Sequence, residues 1–202
     1  MLQSIRDRTQ GWITSTVIGL LIIVFALWGI PFFMNQYQLD SPKAAAITAC
    51  GYVGAGVGGP VLGWISDHIS RRRIVMIVSS LCASIIMAIM IFIVIPKNYA
   101  FLLSFFLGFS ISSYVLPYAV VGEIIPDKAR GKAMGFINCI TLLFGAPILQ
   151  PLIGTLLKNP RRPILQNFTP ALILLLIALV LAFILSFCIK ETYCLNKVSK
   201  KS

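Results

Sequence analysis

The sequence predicts an all-α integral membrane protein with six transmembrane helices, and three observations support this fold class. Of its 202 residues, 58% are hydrophobic and only 11% are charged, whereas about 25% of a typical soluble domain is charged. The mean hydropathy is +0.91. Long apolar runs alternate with short charged segments. A soluble fold of this size could not bury so much apolar surface, so lipid is the expected solvent.

Six apolar runs are long enough to cross the bilayer, since a transmembrane helix needs about 20 apolar residues. None of them contains Lys, Arg, Asp or Glu, and they cover residues 13–34, 44–66, 74–96, 98–122, 133–157 and 168–189. An even number of spans places both termini on the same side of the membrane. Twelve basic residues lie on that side and five on the other, so the positive-inside rule predicts that both termini are cytoplasmic.

The positions of the charges exclude several function classes. The net charge of +11 comes from basic residues in short segments beside the membrane, so we do not expect nucleic acid as a partner. The five cysteines include no C-x-x-C pair and no metal-ligand spacing, which indicates small hydrophobic core residues. We predict no enzyme activity, no cofactor and no metal site, and the lipid bilayer is the first expected partner.

The second run is rich in glycine. Gly54 with Gly58, and Gly59 with Gly63, form small-x-x-x-small pairs, which allow helix backbones to approach closely in lipid. The same stretch matches G-x-G-x-x-G through Gly56, but a nucleotide site needs a preceding strand and a solvated phosphate. These glycines are therefore predicted to pack helices.

The loop after this run carries a carboxylate at the end of one helix and three guanidinium groups at the start of the next. It reads Gly63-Trp64-Ile65-Ser66-Asp67-His68-Ile69-Ser70-Arg71-Arg72-Arg73. The segment resembles the loop signature of the major facilitator superfamily, G-x-x-x-D-R-x-G-R-R/K-R/K, with His68 in place of a basic residue and Ser70 in place of glycine. The alternative is a simple positive-inside anchor, which would explain the arginines but not the aspartate.

Two further segments resemble the same family. The loop after the fourth run matches its E-x-x-P-x-x-x-R-G pattern at Glu123, Pro126, Arg130 and Gly131, and the last run is followed by Glu191-Thr192, similar to sugar-porter-like members. The resemblance covers residues 26–194. It implies one six-helix half of a major facilitator fold, which normally has about twelve helices, and the closing Glu-Thr indicates the C-terminal half.

The resemblance also implies a network of charges that holds the cytoplasmic face closed. Arg71 and Arg73 are expected to approach Glu123 and Glu191, and Arg130 is expected to pair with a neighbouring carboxylate. The alternative is a solvated belt, because an exposed ion pair contributes only about 0–1 kcal/mol. The full set of expected network residues is Asp67, Arg71, Arg72, Arg73, Glu123, Arg130 and Glu191.

In this family the first, second, fourth and fifth helices of a half line the solute cavity. Polar side chains are costly in lipid unless they face protein or a cavity, so those of spans four and five are the candidates. The alternative for each is an interfacial tyrosine or a hydrogen bond between helices. The cavity candidates are Tyr114, Tyr118, Asn138 and Gln150.

The first 30 residues resemble a different family, the N-terminal membrane anchor of periplasmic peptidyl-prolyl isomerases (foldases). We therefore expect an anchor-like helix over residues 1–33, a half-domain of five further helices over 34–194 and a basic cytoplasmic tail over 195–202, in a bacterial inner membrane.

Two functions stay open. One is a secondary transporter that moves a small-molecule solute by alternating access and needs a homodimer or a complementary N-terminal half. The other is a non-transporting membrane fragment or fusion module derived from the foldase anchor.

Overall fold

The protein is predominantly helical in the part that its computed structural model describes, which comprises residues 28–93, 95–124, 127–144, 147, 150–157, 164–188, 191 and 193. No strand occurs within these residues. A 3₁₀ turn covers Ser112–Val115. The helices are α1 (residues 28–37), α2 (Ser41–Ile69), α3 (Arg72–Phe92), α4 (Lys97–Ile111), α5 (Leu116–Ile124), α6 (Asp127–Phe144), α7 (Gln150–Leu157) and α8 (Ile164–Cys188).

Among the described residues, three segments are long and apolar enough to cross a membrane, and they correspond to the second, third and fourth predicted runs. They are Ser41–Ile69, Arg72–Phe92 and Lys97–Val120, and α8 contains a shorter apolar segment, Leu172–Phe187. Most of the first run lies outside the described residues, and the fifth is divided between α6 and α7. The prediction of an all-α multi-pass membrane protein is confirmed, while the count of six spans stays a prediction.

Helix α2 packs on α4 through glycines that let the two backbones touch. A Cβ atom added at Gly54 would overlap the backbone of Phe105, and one added at Gly58 would lie 2.6 Å from the carbonyl oxygen of Phe109. Any larger side chain at either position would force the helices apart. This contact is the close approach that small residues permit in lipid.

Two more contacts join the same helices. Gly108 of α4 faces the backbone of Gly51 in the same tight manner. The Ser104 hydroxyl donates a hydrogen bond of 2.7 Å to the carbonyl oxygen of Ile47. Such interhelical bonds contribute about 0.6 kcal/mol on average in a membrane, so backbone packing provides most of the attraction.

The second predicted glycine pair does not lie at a helix contact. None of the described residues lies within 4 Å of a Cβ atom added at Gly59 or at Gly63. Because an α-helix turns about 100° per residue, these two positions point away from the face that carries Gly54 and Gly58. Of the four predicted packing glycines, the structure therefore brings only the first pair against another helix.

Helix α3 packs along α8, and three buried hydroxyl groups of these helices are satisfied within their own helix. Ser80, Ser84 and Ser186 each donate to the carbonyl oxygen four residues earlier, at 2.7, 2.8 and 2.8 Å. A hydroxyl paired in this way can be buried in an apolar environment without leaving an unsatisfied donor. The serines therefore need no ligand to explain them.

Candidate functional site

The loop between α2 and α3 is a tight turn in which Ser70 adopts the left-handed conformation, with φ of 55°. The Ser70 N–H donates to the carbonyl oxygen of Asp67 at 3.2 Å, and the Arg71 N–H donates to that of Ser66 at 3.3 Å. These two bonds form a Schellman motif, which usually has glycine at the left-handed residue. Ser70 occupies the position where the major facilitator signature has glycine, so the turn explains why that signature prefers it.

Arg72, the first residue of α3, joins two carboxylates. Its Nη2 lies 3.0 Å from Oδ1 of Asp67 and 2.6 Å from Oε1 of Glu123, and its Nε donates to the same Glu123 oxygen at 2.8 Å. Arg72 is only 9% exposed, and the Glu123 side chain is 13% exposed, whereas that of Asp67 is 63% exposed. The pair with Glu123 is therefore shielded from water, and the pair with Asp67 is largely solvated.

Glu191 caps the N-terminus of α3 from a distant part of the chain. Its Oε1 accepts from the Arg72 backbone N–H at 2.8 Å and its Oε2 from that of Arg73 at 3.2 Å. The residue before the helix, Arg71, makes no side-chain cap. A carboxylate at this position satisfies free N–H groups and opposes the positive end of the helix dipole. Asp67, Arg72, Glu123 and Glu191 together are called the charge cluster below.

Of the two arginines expected to approach Glu123 and Glu191, Arg73 meets Glu191 through its backbone N–H. The side chain that reaches the carboxylates is Arg72, not Arg71 or Arg73. Arg71 is exposed in the loop, and the buried Nε of Arg73 has no hydrogen-bond partner among the described residues. Arg71 lies before α3, whereas Arg72 and Arg73 are its first two residues and point in directions about 100° apart, so these two cannot both face α5. Arg130 lies partly buried in the first turn of α6, and its expected pairing stays a prediction.

An open cavity of about 390 Å³ lies between α5, the 3₁₀ turn before it, and α6. It contains three of the four side chains proposed for solute contact, Tyr114, Tyr118 and Asn138. The fourth, Gln150, is at the start of α7 and does not line it. The lining, called the aromatic cavity below, consists of Tyr114, Val115, Tyr118, Met134, Gly135 and Asn138.

Pro117 explains the break in the helix that carries the two tyrosines. A proline has no backbone N–H and cannot bond to the carbonyl four residues earlier, which here belongs to Ser113. The Leu116 N–H bonds to that carbonyl instead, in the shorter 3₁₀ pattern. Tyr114 and Tyr118 lie on either side of this break, with ring centroids 6.4 Å apart and planes at 89°.

Sequence reasoning missed three lining residues, because each of them is a residue type that is common in membrane spans. Met134 lies four residues before Asn138, Gly135 lies three before it, and Val115 follows Tyr114 directly. The spacing of three and four residues places Met134 and Gly135 on the helix face of Asn138. That periodicity was the available signal for these two residues.

The described residues do not suggest a metal centre. Among them, no group of three or more His, Cys, Asp or Glu side chains could hold a metal ion. Cys50, Cys82 and Cys139 are free thiols. The carboxylates of the charge cluster contact Arg72 or the N-terminus of α3. The arrangement can hold helix ends together and can bind a ligand in the aromatic cavity.

Two comparisons with known proteins bear on this site. A family model described as Major Facilitator Superfamily matches residues 11–196. A segment of 70 residues is 33% identical to a protein from Pseudomonas putida described as a gallate transporter, and it covers 35% of this chain and 15% of that protein. The match thus spans a minor part of the relative's length. Neither match supports the resemblance of the first 30 residues to a foldase anchor, because the family match already begins at residue 11.

Proposed function

The chain belongs to the Major Facilitator Superfamily, and we propose that it is a multi-pass membrane transporter that moves a small organic solute by alternating access. The observation that carries this proposal is the aromatic cavity. Its volume of about 390 Å³ falls within the range of about 300–1,000 Å³ that is usual for small-molecule sites. We further propose six spans in a bacterial inner membrane with both termini cytoplasmic, on the basis of the basic residues in alternate loops.

The charge cluster supports the conformational part of the proposal. Glu123, which pairs with Arg72, lies on the same short helix as Tyr118, which lines the cavity. Any movement of α5 that opens the cavity toward the cytoplasm would therefore strain this ion pair. We propose that the pair stabilises the closed cytoplasmic side, and that its loss shifts the population toward the open state.

A second wall is the further element that alternating access needs, since such transporters hold the solute between two repeats. Phe136, Leu142 and Leu143 of α6 are 54%, 53% and 57% exposed, and the main contact of α6 within the described residues is with α5. We propose that a complementary half or a second copy of this chain covers α6 and completes the cavity.

The solute of the similar protein gives the first compound to test. That relative is described as a gallate transporter, and gallate is a hydroxylated benzoate. We propose small aromatic acids of this type as candidate solutes. The family match from residue 11 onward favours transport over the alternative of a non-transporting module, because it includes most of the segment assigned to the foldase anchor.

Uptake of radiolabelled gallate into proteoliposomes tests this proposal. The chain is reconstituted alone and together with any complementary half, and each form is compared with its Asn138→Ala variant. Asn98→Ala is the matched control, because Asn98 is an exposed asparagine at the start of α4 and does not line the cavity. We expect saturable uptake in the associated form, a loss of about tenfold or more in Asn138→Ala, and no change in Asn98→Ala. Equal uptake by the two variants, or none in any assembly, would contradict the proposal.

A further inference from the structure

The aromatic cavity has a lining that distinguishes between the parts of a solute. We infer that it binds the ring and hydroxyl groups of an aromatic solute and leaves any carboxylate of that solute outside. This inference rests on the proposed function, since it concerns the same cavity, and it assigns the selectivity to the ring rather than to the charge.

The described lining of the aromatic cavity is uncharged. The lining of the cavity, as the structure describes it, comprises two tyrosines, a valine, a methionine, a glycine and an asparagine, and none of these carries a charge. Such a lining offers a carboxylate no charged partner to replace the water that it loses on binding. The lining therefore disfavours an anionic group and accepts a neutral one.

The two aromatic side chains of the lining stand at an angle that suits a third ring. The rings of Tyr114 and Tyr118 stand at 89° to each other with centroids 6.4 Å apart. A third ring can stack on the face of one tyrosine while its own edge or face meets the other, and both geometries are favoured by the charge distribution of aromatic rings. The thioether of Met134 adds a polarizable contact that also suits an aromatic partner.

Two polar groups of the lining have no hydrogen-bond partner among the described residues. Neither the Tyr114 hydroxyl nor the Asn138 amide makes a hydrogen bond to any residue in the described part of the chain. Each of these groups can both donate and accept. Hydroxyl groups on a bound ring also donate and accept, so the two sets are complementary.

The cavity is also large enough to hold a substituted aromatic ring. A cavity of about 150 Å³ holds a benzene molecule, and this one measures about 390 Å³. A Cβ atom added at Gly135 would meet nothing within 4 Å, so the backbone of α6 leaves this side of the cavity open. A single substituted ring fits, with room for its hydroxyl groups.

Equilibrium binding to the purified full chain in lipid nanodiscs tests the inference with four probes. They are gallate, pyrogallol (the same ring and hydroxyl groups without the carboxylate), benzoate, and cyclohexanecarboxylate (a carboxylate without an aromatic ring). We expect pyrogallol to bind within about threefold of gallate, benzoate more weakly than either, and cyclohexanecarboxylate at least about tenfold more weakly. Binding that follows the carboxylate, or no binding of pyrogallol, would overturn the inference.

A pair of glycine variants then locates the binding. Gly135→Leu places a side chain in the cavity, whereas Gly131→Leu adds the same side chain one turn earlier on α6, where a Cβ atom also meets nothing within 4 Å. We expect pyrogallol affinity to fall by about tenfold or more in Gly135→Leu and by less than about twofold in Gly131→Leu. Equal effects would overturn the assignment. Because binding does not require transport, ring-dependent binding without uptake would count against the proposed function alone, and uptake with ring-independent binding would count against this inference alone.

Discussion

Arg72 contacts two carboxylates of the charge cluster through its side chain, and its burial distinguishes it from its neighbours. It is 9% exposed and bonds to Glu123 through both Nη2 and Nε. The other carboxylate oxygen of Glu123 is buried and has no partner among the described residues. Removal of the guanidinium would therefore leave a shielded negative charge uncompensated, which is costlier than losing a surface ion pair.

We expect Arg72→Met to lower the free energy of unfolding by about 3 kcal/mol, since it strands Glu123. Arg71→Met removes the same charge from the exposed neighbouring position, and we expect a change within about 0.5 kcal/mol. Chemical unfolding in mixed detergent micelles measures both. The double variant Arg72→Met with Glu123→Leu should recover much of the loss, and a double variant as unstable as Arg72→Met alone would contradict this explanation.

Ser70 carries a conformational cost that glycine would not. A left-handed conformation costs a residue with a Cβ atom roughly 1–2 kcal/mol, and the φ of Ser70 is 55°. We expect Ser70→Gly to stabilise the chain by about 1 kcal/mol. Ser70→Ala keeps the Cβ atom and loses the 3.3 Å bond from the hydroxyl to the Asp67 carbonyl, so it should not stabilise. Thermal unfolding of the two variants, measured side by side, would show the opposite order if this account were wrong.

The sequence singled out the carboxylates of the charge cluster together with all three arginines, but it did not distinguish Arg72 from its two neighbours. Asp67, Glu123 and Glu191 are each isolated in the sequence and could be assigned from the family patterns. Three consecutive arginines all match the same pattern, and which of them is buried depends on how α5 packs against the start of α3. That packing is a tertiary property and leaves no mark within the loop itself.

At the scale of helices, the fold is organised by the face of α2 that meets α4. Gly54 and Gly58 lie on this face, and Gly59 and Gly63 lie on another. Both pairs have the same spacing, so spacing alone could not distinguish them. The partner decides, because α4 approaches only one side of α2.

We expect Gly54→Val to destabilise the chain by about 1–3 kcal/mol, because it forces α2 away from the backbone of Phe105. Gly59→Val changes the helix propensity equally, but its side chain meets no described residue. We therefore expect Gly59→Val to be less destabilising than Gly54→Val by about 1–3 kcal/mol. Chemical unfolding in detergent compares the two. If Gly59→Val were the more disruptive in the isolated chain, α2 would pack by its other face.

The helices around the aromatic cavity show the same limit of sequence reasoning. Tyr114, Tyr118 and Asn138 could be selected because polar groups in a span need a reason. Gln150 met the same criterion and lies elsewhere, at the start of α7. Polarity identifies residues that need a partner, but it does not tell which of them share one cavity.

At the scale of the whole molecule, the topology is the feature that the sequence predicts most directly. The excess of basic residues in alternate loops predicts that the segment at residue 70 lies inside and that at residue 162 outside. In a cysteine-free background, we expect a membrane-impermeant thiol reagent to label Ser70→Cys from the cytoplasmic side and Arg162→Cys from the outer side. The reverse pattern would end this topology.

In the proposed function, the aromatic cavity opens alternately to the two sides of the membrane, and the pair of Arg72 with Glu123 holds the cytoplasmic side closed. A single cysteine at Asn138, in a cysteine-free background, reports which side reaches the cavity. The measurement is its rate of modification by an impermeant thiol reagent in inside-out and right-side-out vesicles, with and without Arg72→Met. We predict that Arg72→Met raises the cytoplasmic rate and lowers the rate from the outer side. Rates that stay unchanged in both orientations, in a chain that is still folded and associated, would contradict the account.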